Sequence, residues 1–431
     1  MEERRQIVIG LTGPFGSGCT KVADYLRDVK GWRRYSMRDA MCEIAPAYIH
    51  PAKKSQKPPI DRRHLQDIGD NIRKTKYFAA IAEKVASKIE DDEKVNFSLQ
   101  SESIVIDGIR NHNEIVYLRD KYPHFFVVAI FASFDTRWNR KRKDKDYKHN
   151  QAKFERDDIR DSGELEPMWG QKVQLCVDRS DVIIGNDRDF TEPGIEEEFW
   201  SRFNGYIQLM EKPGSVQPTI QELNMSLAYQ MSLMSTCCRR KVGATIVREE
   251  IGPPTRSYVI SSGHNEVPIH LRTCAQRGGS NQKGYCVRDE AAKKVFRDRY
   301  KTCPKCGTKI DNKGEYPYRC PKCESRLPHD FIPGRMLDLC PSLHAEEDAI
   351  LQAAKLGSTE IEGSVLYTTT FPCPLCAKKI VQVGIDKVYF AEPYPENEAI
   401  SILAEAGIES RLFVGVKGRA YHRLFEQQLV D

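Results

Sequence analysis

The sequence predicts two α/β domains in a chain of 431 residues, the first a parallel sheet covered by helices on both faces. Three observations predict this. Short apolar runs alternate with amphipathic helical stretches from residue 6 to about residue 212. The segment Glu211–Thr219 then gathers Pro and Gly and loses all periodicity, as a linker does. Beyond it the alternation resumes with a different order of elements, and the chain is too long for a single core.

The first domain, residues 1–212, opens with the strand "QIVIGLTG", a glycine-rich loop and the helix "TKVADYLRDV". "LQDIGDNIRKTKYFAAIAEKVASKIE" reads as one long amphipathic helix, and "ESIVIDGIR", "FFVVAIFAS" and "RSDVIIGND" read as buried strands. Residues 213–219 form the linker. The second domain, residues 220–431, starts with the helix "IQELNMSLAYQMSLMSTC". The strands "KVGATIV" and "SYVISSGHN", the helix "SLHAEEDAILQAAKLG", the strand "SVLYTTT", the helix "PCPLCAKKIVQVG" and the strand "KVYFAE" follow. A polar, lysine-rich insertion at residues 300–326 holds four cysteines.

Charged residues make up 29% and hydrophobic ones 40%, the profile of a soluble globular protein. The net charge of +5 suits anionic substrates but is too small for a nucleic-acid footprint. No run of eighteen apolar residues occurs, and "MEERRQIVIG" passes from charge straight into a strand, so neither a membrane span nor a secretion signal is expected. Six of the fourteen cysteines lie in Cys-x-x-Cys pairs, which points to metal thiolates in a reducing, cytoplasmic setting. Cys274, Cys286 and Cys340 have no assigned partner and read as ordinary thiols.

The strongest chemical signal combines His344 and Glu346 of "HAE" with Cys373 and Cys376 of "PCPLC", each pair opening a helix. One imidazole and two thiolates leave a fourth tetrahedral position for water on a catalytic zinc ion. Zinc brings the pKa of such a water toward about 7. Glu346, two residues from the histidine, would stand beside the metal and shuttle protons, as in zinc deaminases. In "CPKCGTKIDNKGEYPYRCPKC", Cys303, Cys306, Cys320 and Cys323 supply four thiolates, the closed set of a structural zinc ribbon.

The loop Gly13-Pro14-Phe15-Gly16-Ser17-Gly18-Cys19-Thr20 fits Gly-x-x-x-x-Gly-Lys-Ser/Thr everywhere except the lysine, which is Cys19. Gly13, Gly16, Ser17 and Gly18 would cradle phosphate. Thr20, with Asp107 at the end of "SIVID", is placed to meet a Mg2+ ion carried by a nucleotide. Lys21, two helical residues on, is turned about 200° from the Cys19 position and does not replace the lysine. The segment "RWNRKRKDKDYKHNQAKFERDD" reads as a basic lid or as a solvated charged helix. Nucleotide binding or packing is therefore favoured over phosphoryl transfer.

From about Ile220 onward, "CCRRKVGATIV", "SSGHNEVP", "HAEEDAI", "YTTTFPCPLCAKKIVQVGI" and "KVYFAEPYP" resemble the deoxycytidylate deaminase branch of the cytidine deaminase superfamily. That resemblance implies an α/β/α domain whose five-stranded sheet carries the zinc helices on one face. It also implies that Asn265 holds deoxyribose, that Arg240 or Lys241 approaches phosphate, and that the chain assembles as a homo-oligomer. Joined to the P-loop kinase-like domain, it resembles the bacterial anti-phage dCTP/dCMP deaminases. The implication is conversion of dCTP or dCMP to dUTP or dUMP in antiviral defence, controlled by a regulatory deoxynucleotide or an inhibitory small RNA. A deaminase acting on nucleic acid, a bifunctional kinase–deaminase and an inactive scaffold are the alternatives. The first lacks an aromatic basic platform, the second lacks the loop lysine, and the third would require a broken zinc set.

Overall fold

The computed structural model describes residues 6–45, 62–163, 166–253, 255–278, 284–291, 294, 301–310, 320, 322–323, 325, 340–358, 360–392 and 397–426. It divides into two compact units, Met1–Thr219 with Val414–Asp431, and Ile220–Phe413.

In the first unit, β1 (Val8–Thr12), β2 (Arg33–Ser36), β3 (Ile104–Asp107), β4 (Phe125–Phe131) and β5 (Val182–Gly185) run parallel in the order β5-β4-β1-β3-β2. The crossings are made by α1 (Cys19–Asp28), α2 (Met37–Ile44), α3 (Arg62–Thr75), α4 (Ala80–Val95), α5 (His112–Lys121), α6 (Phe134–Lys141), α7 (Gln151–Ser162) and α8 (Val173–Asp178), and α9 (Ile195–Glu211) follows β5. Apart from the edge strand β2, whose Arg33, Arg34 and Ser36 are only half-buried, the strands are apolar on both faces, and the two-residue period sends alternate side chains into two cores. Ile9, Leu11, Val105, Val128 and Ile184 meet Val22 and Leu26 of α1 and Phe203 and Ile207 of α9. Val8, Ile104, Ile106 and Val127 meet Ile68 and Ile72 of α3 and Ile81, Val85 and Ile89 of α4. The stretch expected as one long helix is two, α3 and α4, with the chain turning at residues 76–79, where Tyr77 and Phe78 are exposed.

The second unit begins with α10 (Ile220–Leu233) and the antiparallel hairpin of β6 (Gly243–Glu250) and β7 (Arg256–His264). After α11 (Ala345–Lys355), β8 (Val365–Thr368) pairs antiparallel with β6. Beyond it, α12 (Pro374–Gln382), β9 (Lys387–Phe390), α13 (Asn397–Glu405) and β10 (Glu409–Leu412) extend the sheet in parallel, giving the order β10-β9-β8-β6-β7. Ala345, Ala349, Ala377, Ile380 and Leu403 bring α11, α12 and α13 to one face. Met225 and Ala228 of α10 pack with Val247 and Tyr367 on the other. This is the three-layer arrangement the sequence implied. Among the described residues, no helix is long and apolar enough to cross a membrane.

The expected second domain of residues 220–431 needs one correction. Residues 414–431 belong to the first unit. There β11 (Gly415–Val416) pairs antiparallel with β5, and α14 (Gly418–Phe425) places Ala420 and Leu424 in the core with Phe203 and Ile207. The buried Lys417 between them donates from Nζ to Val177 O at 2.9 Å and Asp178 O at 2.7 Å, capping the end of α8. Burial of Val416, Ala420 and Leu424 draws this segment back to the first sheet.

Candidate active site and phosphate loop

His344 is the residue that caps the start of α11, and Cys373 caps the start of α12, where Pro374 takes the first helical position. In the first turns of these helices the Cys376 N–H points to the Cys373 thiol and the Glu346 N–H to its own carboxyl, each favouring the charged form. His344 Nδ1 lies 3.3 Å from Cys373 Sγ and 3.4 Å from Cys376 Sγ. A tetrahedral zinc ion with ordinary Zn–N and Zn–S bonds separates such ligands by about 3.5 Å, so the three atoms fit one ion. The hydrogen bond from Cys376, outweighing burial, together with His344 draws the Cys373 thiol down to about 4. Cys376 keeps the shared proton and is pushed up. The same Cys373 hydrogen bond raises His344.

Glu346, in the first turn of α11, is 3% exposed, and burial raises its carboxyl above the usual range. Its Oε1 accepts from Thr368 Oγ1 at 3.3 Å, and that hydroxyl also lies 3.0 Å from Thr370 O. Lys379 of α12 donates to Glu347 Oε1 of α11 at 2.5 Å, pinning one ligand-bearing helix to the other. Thr368 and the Glu347–Lys379 pair escaped sequence reasoning: a threonine among three, and a charge pair 32 residues apart, carry no local mark.

The residues assigned to substrate are arranged differently from one another. Asn265 is buried, and its Oδ1 accepts from Val242 N at 2.7 Å while Nδ2 donates to Arg240 O at 2.8 Å. It therefore fixes the turn that carries Arg240 and Lys241, with one amide hydrogen and one lone pair left over. Arg240 is ion-paired with Glu392, whose Oε2 also accepts from Thr370 Oγ1 at 2.8 Å. Lys241 is exposed, its Nζ 3.4 Å from Leu233 O.

The four insertion cysteines come together as well, with Cys303 Sγ 3.7 Å from Cys323 Sγ and Cys306 Sγ 3.5 Å from Cys320 Sγ. Tetrahedral thiolates on zinc stand about 3.8 Å apart, and Gly307 after the first pair adopts φ 67°, a left-handed turn. Much of the rest of the insertion lies outside the described residues. Among the described residues these two clusters are the groups able to hold a metal ion.

In the first unit the glycine-rich loop joins β1 to α1 with Gly13, Gly16 and Gly18 at φ 148°, 84° and 109°. A Cβ on Gly13 would lie 2.1 Å from Ile130 O, so only glycine fits there. Ser17 is buried. Cys19 Sγ donates to Thr12 O at 3.2 Å, and burial, followed by the charge of Asp107, pushes the thiol up to about 11. Thr20 Oγ1 donates to Asp107 Oδ2 at 3.3 Å. Lys21 pairs with Glu196 of α9 at 2.8 Å, away from the loop, as its helical position requires. The lid segment folds into α6 and α7, and Phe15 of the loop packs with its Tyr147 and Phe154.

The family model of the cytidine and deoxycytidylate deaminase zinc-binding region matches residues 218–392. The deoxycytidylate deaminase of Enterobacteria phage T4 is 32% identical over 187 residues, 43% of this chain and 85% of that one. That of Schizosaccharomyces pombe is 24% identical over 409 residues, 94% of this chain and 97% of the relative. That of Saccharomyces cerevisiae is 30% identical over 199 residues, 46% of each, so the match spans about half of that relative.

Proposed function

The chain belongs to the cytidine and deoxycytidylate deaminase family, and from that premise we propose that it hydrolyses the 4-amino group of a free cytosine deoxynucleotide, dCMP or dCTP, to give the uracil nucleotide and ammonia. The observation that carries the reading is the convergence of His344, Cys373 and Cys376 beside the buried carboxyl of Glu346. These three residues would hold zinc, which when bound supplies an electrophilic centre that acidifies water. The Cys303, Cys306, Cys320 and Cys323 set would hold a second, structural ion.

Glu346 moves the protons. Its carboxylate accepts one from the attacking water and delivers it to N3 of the ring; it then takes the second from the hydroxyl now on C4 and passes it to the amine as the C4–N bond breaks and the C4 carbonyl forms. Burial, which favours the protonated form, makes the carboxylate a better base that holds the proton between its two transfers, and the Thr368 hydroxyl holds Oε1 in one orientation. Asn265, with its remaining hydrogen and lone pair, receives the deoxyribose, and Arg240 and Lys241 stand on the turn it fixes.

The first unit serves as a regulatory module that recognises a phosphorylated ligand on its glycine-rich loop. The order of the two domains, which resembles that of antiviral deaminases, supports depletion of the cytosine deoxynucleotide pool during phage infection as the cellular role.

The test is Glu346→Gln. Zinc content is retained, and ammonia release from dCMP and dCTP falls by on the order of 10³-fold. Turnover at the wild-type rate would overturn the mechanism. A parallel screen of dCMP, dCTP, CMP, cytidine and single-stranded DNA identifies the substrate, and preference for DNA would overturn the free-nucleotide reading.

A further inference from the structure

Phosphate loops that transfer phosphoryl groups work with a magnesium ion, held by the hydroxyl after the loop lysine and by an acidic residue ending a neighbouring strand. Here those groups are Thr20 and Asp107, and their surroundings do not fit the ion. Arg34 of β2 donates from Nη2 to Asp107 Oδ2 at 2.9 Å, the same oxygen that accepts from Thr20 Oγ1 at 3.3 Å. The other arm of the guanidinium is held by Asp24 of α1. A divalent cation bridging Thr20 and Asp107 would share its carboxylate oxygen with a tethered group that never loses its charge. Arg34 thus stands in the metal's place.

The loop lysine is replaced as well. Cys19 turns its thiol inward to Thr12 O and stays neutral near pH 7, while the Lys21 ammonium is committed to Glu196. A second guanidinium compensates. Arg110, in the turn after β3, donates to Gly13 O at 3.1 Å and pairs with Asp161 at 2.7 Å, and its charge is felt at Cys19. Arg110 is held in place by Glu114, whose Oε2 accepts from Arg110 N and Asn111 N at 3.0 Å each. Arg34 also lines a neighbouring cavity of about 330 Å³ with Arg33, Ser36, Asp39, Lys88 and Asp92.

We propose that the first unit binds a phosphorylated small molecule without a divalent metal ion, Arg34 standing in for magnesium and Arg110 for the loop lysine, and that it transfers no phosphoryl group. This rests on the regulatory reading of the first unit and not on the deaminase chemistry. The readout is binding rather than ammonia release, so either can fail without the other.

The experiment is calorimetric titration of the zinc-loaded full chain with inorganic tripolyphosphate and with ATP, in magnesium-free buffer and again with excess Mg2+. Wild type binds without Mg2+, and adding the metal weakens binding or leaves it unchanged. Arg34→Gln lowers the metal-free affinity by about tenfold or more, and Mg2+ now strengthens it. Asp107→Asn, which leaves Arg34 in place, keeps metal-free binding, whereas a magnesium-dependent loop would lose it. The proposal is overturned if wild type needs Mg2+ or binds more tightly with it, or if neither probe binds under any condition. It is also overturned if Cys19→Lys alone confers Mg2+-dependent ATP turnover.

Discussion

Gly263, near the end of β7, decides how closely the helix carrying His344 and Glu346 can sit on the sheet. A Cβ built there would lie 2.3 Å from Ala349 N and 2.6 Å from Ala345 O, both backbone atoms of α11. In Gly263→Ala the strand is held by its ladder to β6, while the bond from Ser261 Oγ to Ala349 O of α11 at 2.8 Å stretches as the two elements part. The helix must therefore retreat by about 1 Å to reach ordinary contact. His344 moves with α11, while Cys373 and Cys376 stay with α12, so separations of 3.3 and 3.4 Å open beyond what one zinc ion spans. Metal sites tolerate about 0.5 Å of such error. Zinc affinity should fall by about 10- to 100-fold and turnover by on the order of 10²-fold, with about 1–3 kcal/mol lost from folding stability. The assay is zinc per chain after dialysis against a graded chelator, together with ammonia release. Gly205→Ala is the control: that Cβ, on α9 of the first unit, meets nothing within 4 Å. It should leave zinc and turnover unchanged and add about 0.5–1 kcal/mol of stability. A Gly263→Ala protein that keeps its zinc and its rate would refute the close-approach argument.

Three further outcomes follow from buried charge and from the metal sites. Arg73 is 4% exposed and donates from Nε and Nη2 to Glu114 Oε1 at 3.0 and 2.8 Å, while Glu114 is fully buried. Arg73→Met strands that carboxylate and should cost about 3–5 kcal/mol in denaturant unfolding of the first unit, and a loss below about 1 kcal/mol would contradict the buried-pair account. Lys417 is 2% exposed, and burial pushes its pKa down to about 8. The unfolded chain, with an ordinary lysine pKa near 10.4, holds the proton more tightly. Stability therefore rises between pH of about 8 and about 10.4, by as much as about 3 kcal/mol. Unfolding midpoints at several pH values should show that rise in wild type and lose it in Lys417→Met; parallel curves for the two proteins would count against it. Cys303→Ser should remove one equivalent of zinc while His344, Cys373 and Cys376 keep theirs, and an unchanged zinc count would remove the four-thiolate assignment.

What could be read from the sequence was what depends on neighbours along the chain. The cysteine ligands lie in pairs three residues apart, Glu346 lies two residues from His344 at a helix start, and the glycine loop is one continuous turn, so residue type and spacing carried their chemistry. The central strands were legible because burial on both faces leaves an unbroken apolar run, whereas the edge strands β2 and β10, whose polar residues are half-buried or exposed, were not read. The single helix expected over residues 65–90 failed because hydrophobic periodicity passes through the turn at residues 76–79 without interruption. The C-terminal segment failed for a different reason. Two strand residues and an eight-residue helix make too short a signal to show which sheet they join, and that choice lies in Val416, Ala420, Leu424 and the Lys417 ammonium meeting the first core. Arg34 shows the limit most clearly. In "GWRRYS" it is one basic residue among several, and its meaning comes only from Asp107, 73 positions away. A missing lysine at Cys19 is visible as a broken motif, whereas an occupied metal position is visible only as a contact. The two changes carry the same consequence: one substitution at Cys19 returns the lysine but leaves Asp107 tied to Arg34, so Cys19→Lys alone should not bring phosphoryl transfer.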